Sequence, residues 1–292
     1  MKDLLTTREL AGFLRLNEKR VYQLIREGNI PHVKIAGKWL FPRQHVERWI
    51  DENVQREKNI QIVGSDDILL AQLLSLYSRE KFPESLAFYS SVGSLQGIKA
   101  LSKKRGQACC THVLDIETGQ YNLPILDRIL SPQQYIVVNL WHRNQGLIVK
   151  KGNPLAIKDL ADVQNKHVRF INRNEGSGTR MLLEYFMQQL HLNERDISGF
   201  FDVVDTHLEV ALKVFFDEAD AGMGIEYVTH LLPLDFIPLK EEQFDLVIPK
   251  DLWQTAIMQG FIDYLQPEKI GKLSHKLPGY NLKETGKVLF ES

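Results

Sequence analysis

Cysteine is nearly missing from this chain of 292 residues: Cys109 and Cys110 are the only two, and they stand side by side. Neighbouring residues rarely bridge without strain, so no disulfide framework is expected. With His112 they spell C-C-x-H, which lacks the fourth ligand of a structural metal site, and no metal is expected. Long apolar runs are missing too; none approaches the about 20 residues that span a bilayer. The opening MKDLLTTREL has neither the apolar core nor the small-residue cleavage site of a secretory signal. A membrane is therefore not an expected partner, and a cytoplasmic location is expected. Neither a Walker loop nor a Ser/His/Asp set is present, which speaks against an enzyme and against a tightly bound cofactor. An excess of one charge sign is also lacking, with a net of −1.

What is present is ordinary globular material, 43% hydrophobic and 25% charged, enough for two or three packed units. The charge is unevenly spread. Residues 1–56 hold 11 Lys/Arg against 7 Asp/Glu, a net of +4, and the remainder is net −5. A basic head on an acidic body suits a DNA-contacting module joined to something else.

Within the head, Thr6-Thr7-Arg8-Glu9 reads as a capping box opening a short helix whose buried side carries Leu10, Phe13 and Leu14. Asn17 is a good N-cap for a second helix from Glu18 to Glu27, with Val21, Leu24 and Ile25 at helical spacing and Gly28 ending it. Val33–Ile35 and Trp39–Phe41 flank Ala36-Gly37-Lys38 as a hairpin, the wing, and Pro42 can start a third helix running to Ile50. So small a module cannot build a large core, but it can hold one helix rigidly against a major groove. Lys19, Arg20, Tyr22, Gln23 and Arg26 then fall on the exposed face of the second helix; with Thr7 and with Lys38 at the wing tip, they are the expected contacts to double-stranded DNA. The stretches Leu5–Ala11, Val21–Pro31 and Trp39–Arg43 closely resemble the excisionase/MerR-type winged helix-turn-helix, a small α+β fold. The module is placed at 1–52, with polar residues 53–59 as a linker or an extension of the third helix.

From residue 60 short apolar runs alternate with helical patterns. Strands are expected at Ile60–Val63, Leu86–Tyr89, Ala108–Leu114, Tyr135–Leu140, Gly146–Val149, His167–Ile171 and Phe244–Ile248. Helices are expected at Ile68–Glu80, Leu95–Lys103, Gly178–Leu190, Leu208–Phe216 and Leu252–Leu265. This alternation implies an α/β fold with largely parallel sheets, whose ligands bind beyond the carboxyl ends of the strands. Small polar clusters gather there: Ser65 with Asp66 and Asp67, Ser90–Ser94, Thr111-His112, and Asn172–Arg180. In the last cluster Gly176 and Gly178 let backbone amides approach a ligand, while Ser177 and Thr179 add hydroxyls at a helix N-terminus that favours negative charge. A tight strand-to-helix turn with an ordinary Ser or Thr cap explains the same four residues.

Residues 60–292 resemble the cytoplasmic substrate-binding domain related to periplasmic molybdate-binding proteins. The match runs through Ser91–Gly97, His112–Asp115, Tyr121-Asn122, Asn172-Arg173 with Gly176–Arg180, Thr206–Ala211 and Ala219–Ile225. It departs at Lys213–Glu218, where relatives have small residues and glycine. The resemblance implies a type II periplasmic-binding-protein-like fold of two lobes, about 60–138 with 239–292 and about 141–238, closing on a small anion, molybdate or tungstate, as effector. Ser65, Ser94, Ser177, Thr179 and the Gly176 and Gly178 amides are the expected neutral donors, with Arg173, His112 and His207 as further candidates. His112 and His207 are equally read as core histidines. Asp66 and Asp67 oppose a bare oxyanion if they face the cleft, but not if they cap the following helix; inward, they favour a larger ligand such as an organic acid or a pterin-linked molecule. The expected protein is thus a one-component transcription regulator, dimeric on paired half-sites. The alternative is a binding or delivery protein, or an enzyme, whose DNA module is secondary.

Overall fold

The computed structural model describes residues 4–28, 30–56, 59–81, 86–130, 134–265, 270 and 278–291. It forms two compact units, Met1–Asn59 and Ile60–Ser292.

In the first unit, strand β1 (Leu4–Thr6) leads into α1 (Thr7–Phe13) and α2 (Glu18–Arg26), followed by β2 (Val33–Ile35), β3 (Lys38–Pro42) and α3 (Arg43–Arg56). Both cap signals are realised. The Thr6 hydroxyl accepts the Glu9 N–H at 3.3 Å while Glu9 accepts the Thr6 N–H at 2.7 Å, and Asn17 Oδ1 accepts the Arg20 N–H at 2.8 Å. Gly28 adopts the left-handed φ of 66° that ends α2. The wing is a three-stranded sheet in the order β1-β3-β2, because Leu4–Thr6 adds a strand that three residues of sequence could not announce. Leu10, Val21, Ile25, Ile30, Phe41 and Val46 make the core. Phe13 is not part of it. It lies at the flank of the Leu10–Leu14 stripe, is 40% exposed, and is covered by the Arg43 guanidinium 5.3 Å from its ring. Pro42 closes β3 rather than opening α3, and α3 passes Ile50 to end at Arg56 through residues with no helix breaker among them.

The second unit runs β4 (Ile60–Gly64), α4 (Ile68–Lys81), β5 (Ala87–Ser91), α5 (Ser94–Ser102), β6 (Ala108–Thr111), α6 (Leu123–Leu130), β7 (Tyr135–Lys150), α7 (Leu160–Asn165), β8 (Phe170–Arg173), α8 (Gly178–Gln189), β9 (Val203–Val204), α9 (His207–Phe215), β10 (Ala221–Ile225), β11 (Leu234–Pro249), α10 (Lys250–Trp253), α11 (Ala256–Tyr264), β12 (Tyr280–Asn281) and β13 (Val288–Glu291). One curled sheet carries the order β5-β4-β6-β11-β7-β10-β8-β9, with β12 and β13 also on β7. Its outer arms are parallel, β5-β4-β6 in one lobe and β10-β8-β9 in the other. The long antiparallel pair β7 and β11 crosses between them.

That pair corrects the expectation of separate strands at Tyr135–Leu140 and Gly146–Val149. The intervening Trp141–Gln145 looks like a polar break, yet it is paired throughout with Lys240–Phe244. Arg143 and Gln145 are buried on one face of the pair, where Glu242 neutralises Arg143, so the ladder continues through the polar stretch. The expected strand Ala108–Leu114 stops at Thr111. The expected helix Leu252–Leu265 is interrupted, with Thr255 capping α11 by accepting the Met258 N–H at 3.3 Å. No helix among the described residues is long and apolar enough to cross a membrane.

Gly64, at the end of β4, has a φ of 130°, and a Cβ there would collide with the Cys110 carbonyl. Gly119 has a φ of 67° but open space around it. Gly64→Ala should therefore lower stability by more than about 3 kcal/mol, and Gly119→Ala by about 1 kcal/mol, in urea unfolding of the purified protein.

Candidate functional site

The carboxyl ends of the parallel strands meet where the lobes touch. Gly64 ends β4 and leads to Ser65, Asp66 and Asp67; β6 leads to His112; β8 ends on Arg173, and the turn after it leads to Gly176–Thr179. Polar and close contacts bridge the lobes among the described residues. The Leu95 N–H donates to the Gly176 carbonyl at 3.0 Å, and the His207 N–H at the start of α9 donates to Asp66 Oδ2 at 3.0 Å. Gly178 lies flat against the His112 ring, close enough that a Cβ would come within 2.6 Å of it.

The two acidic residues after β4 thus have different jobs. Asp67 is buried, and its Oδ1 accepts the Leu70 N–H at 2.7 Å, capping α4. Its Oδ2 takes the Tyr280 hydroxyl at 2.9 Å and Arg143 Nη1 at 2.8 Å. Asp66 reaches across to the N-terminus of α9, placing a carboxylate where helix ends favour negative charge.

Beneath them lies a buried charge cluster that sequence reasoning missed. Arg143 is fully enclosed, donating from Nε to Glu242 Oε1 at 2.7 Å and from Nη1 to the Asp66 carbonyl at 3.0 Å, with its guanidinium 4.2 Å from the Phe244 ring centroid. Burial alone would raise the Glu242 carboxyl, but the Arg143 charge beside it prevails and holds it down at about 2. His112 Nδ1 lies 2.6 Å from Glu242 Oε2; burial pushes the imidazole below its ordinary value despite that carboxylate. Gln145 donates its amide to the Thr179 hydroxyl at 3.0 Å. The available signal was Trp-His-Arg-Asn-Gln facing Glu-Glu-Gln: charged residues inside otherwise apolar strand runs.

Three of the expected donor hydroxyls, those of Ser94, Ser177 and Thr179, accept hydrogen bonds within the protein, and an accepting hydroxyl keeps its own O–H to donate. Ser177 caps α8 by accepting the Arg180 N–H at 3.2 Å, Thr179 is held by Gln145, and the Ser94 hydroxyl accepts the His112 N–H at 3.4 Å. Ser65 is buried, and its carbonyl accepts the Tyr89 hydroxyl. Two expected residues stand out as unsatisfied. Arg173 is 2% exposed and donates only Nη2, to the Asp205 carbonyl at 2.5 Å; Nε and Nη1 have no partner. Burial brings its guanidinium down to about 10, still charged at neutral pH. His207 is 1% exposed with neither ring nitrogen partnered, and burial holds it well below its ordinary value. Among the described residues, no group of three His, Cys, Asp or Glu is placed to hold a metal ion. Cys109 and Cys110 are buried and free, their thiols pushed up by desolvation.

On the first unit, Lys19, Arg20, Tyr22, Gln23, Arg26 and Lys38 are all exposed, and Thr7 is half-buried. Gln23 Nε2 donates to Glu27 at 2.8 Å, which uses one of its two N–H donors.

A small helix-turn-helix with a wing, followed by a two-lobed α/β unit with a polar seam, is the architecture of a DNA-binding module joined to a substrate-binding domain. Residues 4–54 match the helix-turn-helix domain family and residues 76–266 the PBP superfamily domain, and the chain belongs to the latter family. It is 32% identical over 308 residues to the uncharacterized protein YvgK of Bacillus subtilis (strain 168), covering 98% of both chains. Solved structures share the fold of the second unit. One, from Clostridium perfringens, holds bound phosphate (15% identity, TM-score 0.58, covering 76% of this chain and 98% of that one). Another is a tungstate ABC transporter structure from Geobacter sulfurreducens (13%, 0.55, 75% and 99%). A third is the effector-binding domain of QuiR with shikimate (14%, 0.52, 73% and 97%).

Removing the Glu242 charge leaves Arg143 buried with Asp67 as its remaining carboxylate. Glu242→Gln should cost about 3–5 kcal/mol in urea unfolding at pH 7. Because Glu242 titrates lower in the folded state, its contribution is full above its ordinary value of 4.5 and is lost as pH falls through about 2. The gap between variant and wild type should accordingly close over that interval.

Proposed function

We propose that this protein is a ligand-responsive, one-component DNA-binding regulator whose second unit senses a small anion. The observation that carries this is Arg173: a buried guanidinium with two unpartnered N–H donors at the seam between the lobes, on a chain that also has a helix-turn-helix. An unpaired buried charge is costly, and an anion held there removes the cost. The QuiR effector domain is a like-folded unit with a small acid bound, which supports sensing. The phosphate-bound and tungstate neighbours support an anionic ligand, and molybdate or tungstate are the first oxyanions to try.

In this reading the matched lobes are about 60–138 with 239–292 and about 141–238. Ser65, Asp66, Ser94, His112 and the Gly176–Thr179 turn shape the seam, and Arg173 and His207 meet the ligand. The first unit works in the cytoplasm on double-stranded DNA as part of a dimer, since one small module makes too few contacts for high affinity. The protein turns nothing over: its two modules are of DNA-binding and substrate-binding types.

Two measurements test the proposal. Binding of the full chain to its own upstream DNA should weaken steeply with salt, and Arg20→Ala or Arg26→Ala should flatten the log–log slope by about 1 for each phosphate no longer neutralised. DNA affinity should also change when the ligand binds. Absence of salt-sensitive binding, with and without anions, overturns the regulator. In a thermal-shift screen of molybdate, tungstate, sulfate and small organic acids, Arg173→Gln should abolish the shift given by any hit, whereas survival of the shift removes the proposed site.

A further inference from the structure

The seam contains unsatisfied acceptors as well as donors. Gln145 is fully buried on β7 and its Oε1 has no partner. Its orientation is fixed by its neighbours: the amide N–H group faces the Thr179 hydroxyl, and it also hydrogen-bonds the ionised Glu242, which only the NH2 end can do. The oxygen is therefore the end left over. His207, held neutral by burial, has one nitrogen that donates and one that accepts, and both are unpartnered. The Tyr121 hydroxyl, within electrostatic reach of Glu242 and Arg143, is likewise unpartnered and can do either.

A fully deprotonated tetrahedral oxyanion offers acceptors only. It satisfies Arg173 and leaves Gln145 Oε1 and one His207 nitrogen buried and unpaired. The local charge also disfavours a dianion, because the guanidinium groups of Arg143 and Arg173 are set among three carboxylates, Asp66, Asp67 and Glu242. A ligand with one carboxylate and neighbouring hydroxyls meets both demands, its carboxylate on Arg173 and its O–H groups donating to Gln145 and His207.

Resting on the sensing role proposed above, we infer that the ligand class is a hydroxylated carboxylic acid rather than a bare metal oxyanion. A site with buried acceptors rejects the analogue that lacks the hydroxyl, because nothing else pairs with them.

Calorimetry on the full chain tests this with propionate, lactate and glycerate, with cyclohexanecarboxylate and quinate, and with molybdate, tungstate and sulfate. Within at least one carboxylate series the hydroxylated member should bind at least about 100-fold tighter than its deoxy counterpart, and tighter than the three oxyanions. In Gln145→Met or His207→Phe that ratio should shrink to under about tenfold. Oxyanions binding as well as every hydroxy acid overturn the inference and leave the sensor standing. So does an unchanged ratio in both variants, or a failure of all the hydroxy acids to bind. If Arg173→Gln leaves the binding of every hit unchanged, it is the sensing site itself that fails.

Discussion

The second unit is organised around a guanidinium that no solvent reaches. Arg143 projects from β7, one of the two long crossing strands, and holds Asp67 on the turn after β4, Glu242 on the neighbouring strand and the Asp66 carbonyl. Each partner in turn fixes something else. Asp67 starts α4 and receives Tyr280 from the C-terminal segment, while Glu242 sets His112 and Gln145, and through Gln145 the first turn of α8. Such clusters contribute little net energy compared with apolar packing of the same volume, but each member is costly to remove alone. The cluster therefore acts as a positional constraint: the ends of both lobes are referenced to one side chain.

Local features of the chain were legible in the sequence, and long-range ones were not. The Thr6/Glu9 box, the Asn17 cap and Gly28 act within four residues of themselves, so they fix α1 and α2 wherever the rest of the chain goes. In the second unit the starts of α4, α5, α8 and α9 fall within one residue of expectation, whereas α6 and α7 were not expected and α11 begins only at Ala256. The β7–β11 pair was missed as a continuous element because its polar centre, Trp141–Gln145 facing Lys240–Phe244, resembles a loop when each strand is viewed alone. Only pairing brings Arg143 opposite Glu242. Phe13 shows the opposite error, a large apolar residue assigned to the core that finds its cover in Arg43 instead.

The candidate ligand site follows the same division. Clusters of small polar residues after the strands marked where the seam would be, and those clusters do converge there. Part of what engages these residues is long-range: Thr179 meets Gln145 and Arg173 meets the Asp205 carbonyl, each more than thirty residues away. Ser177 and Thr179, prominent in sequence, have hydroxyls that accept from the Arg180 N–H and from Gln145 and keep their O–H groups to donate. Arg173, one residue of a matched pair, retains open donors because Asp205 satisfies only one of its nitrogens. The choice between capping and cleft-facing roles for Asp66 and Asp67 resolves as two caps on helices of different lobes.

The crossing strands carry a mechanical consequence. The β7–β11 ladder is continuous except for register shifts between Pro238 and Lys240 and between Phe244 and Asp245, and those irregularities bracket Glu242. Such bulges disrupt a ladder locally and bend the strand that carries them, and here they lie on either side of the residue that pairs with Arg143. Compliance and recognition therefore reside in the same few peptides. If the seam binds its ligand as proposed, a substitution there that retunes preference would also change the compliance of the crossing strands, so selectivity and rate of opening could not drift independently.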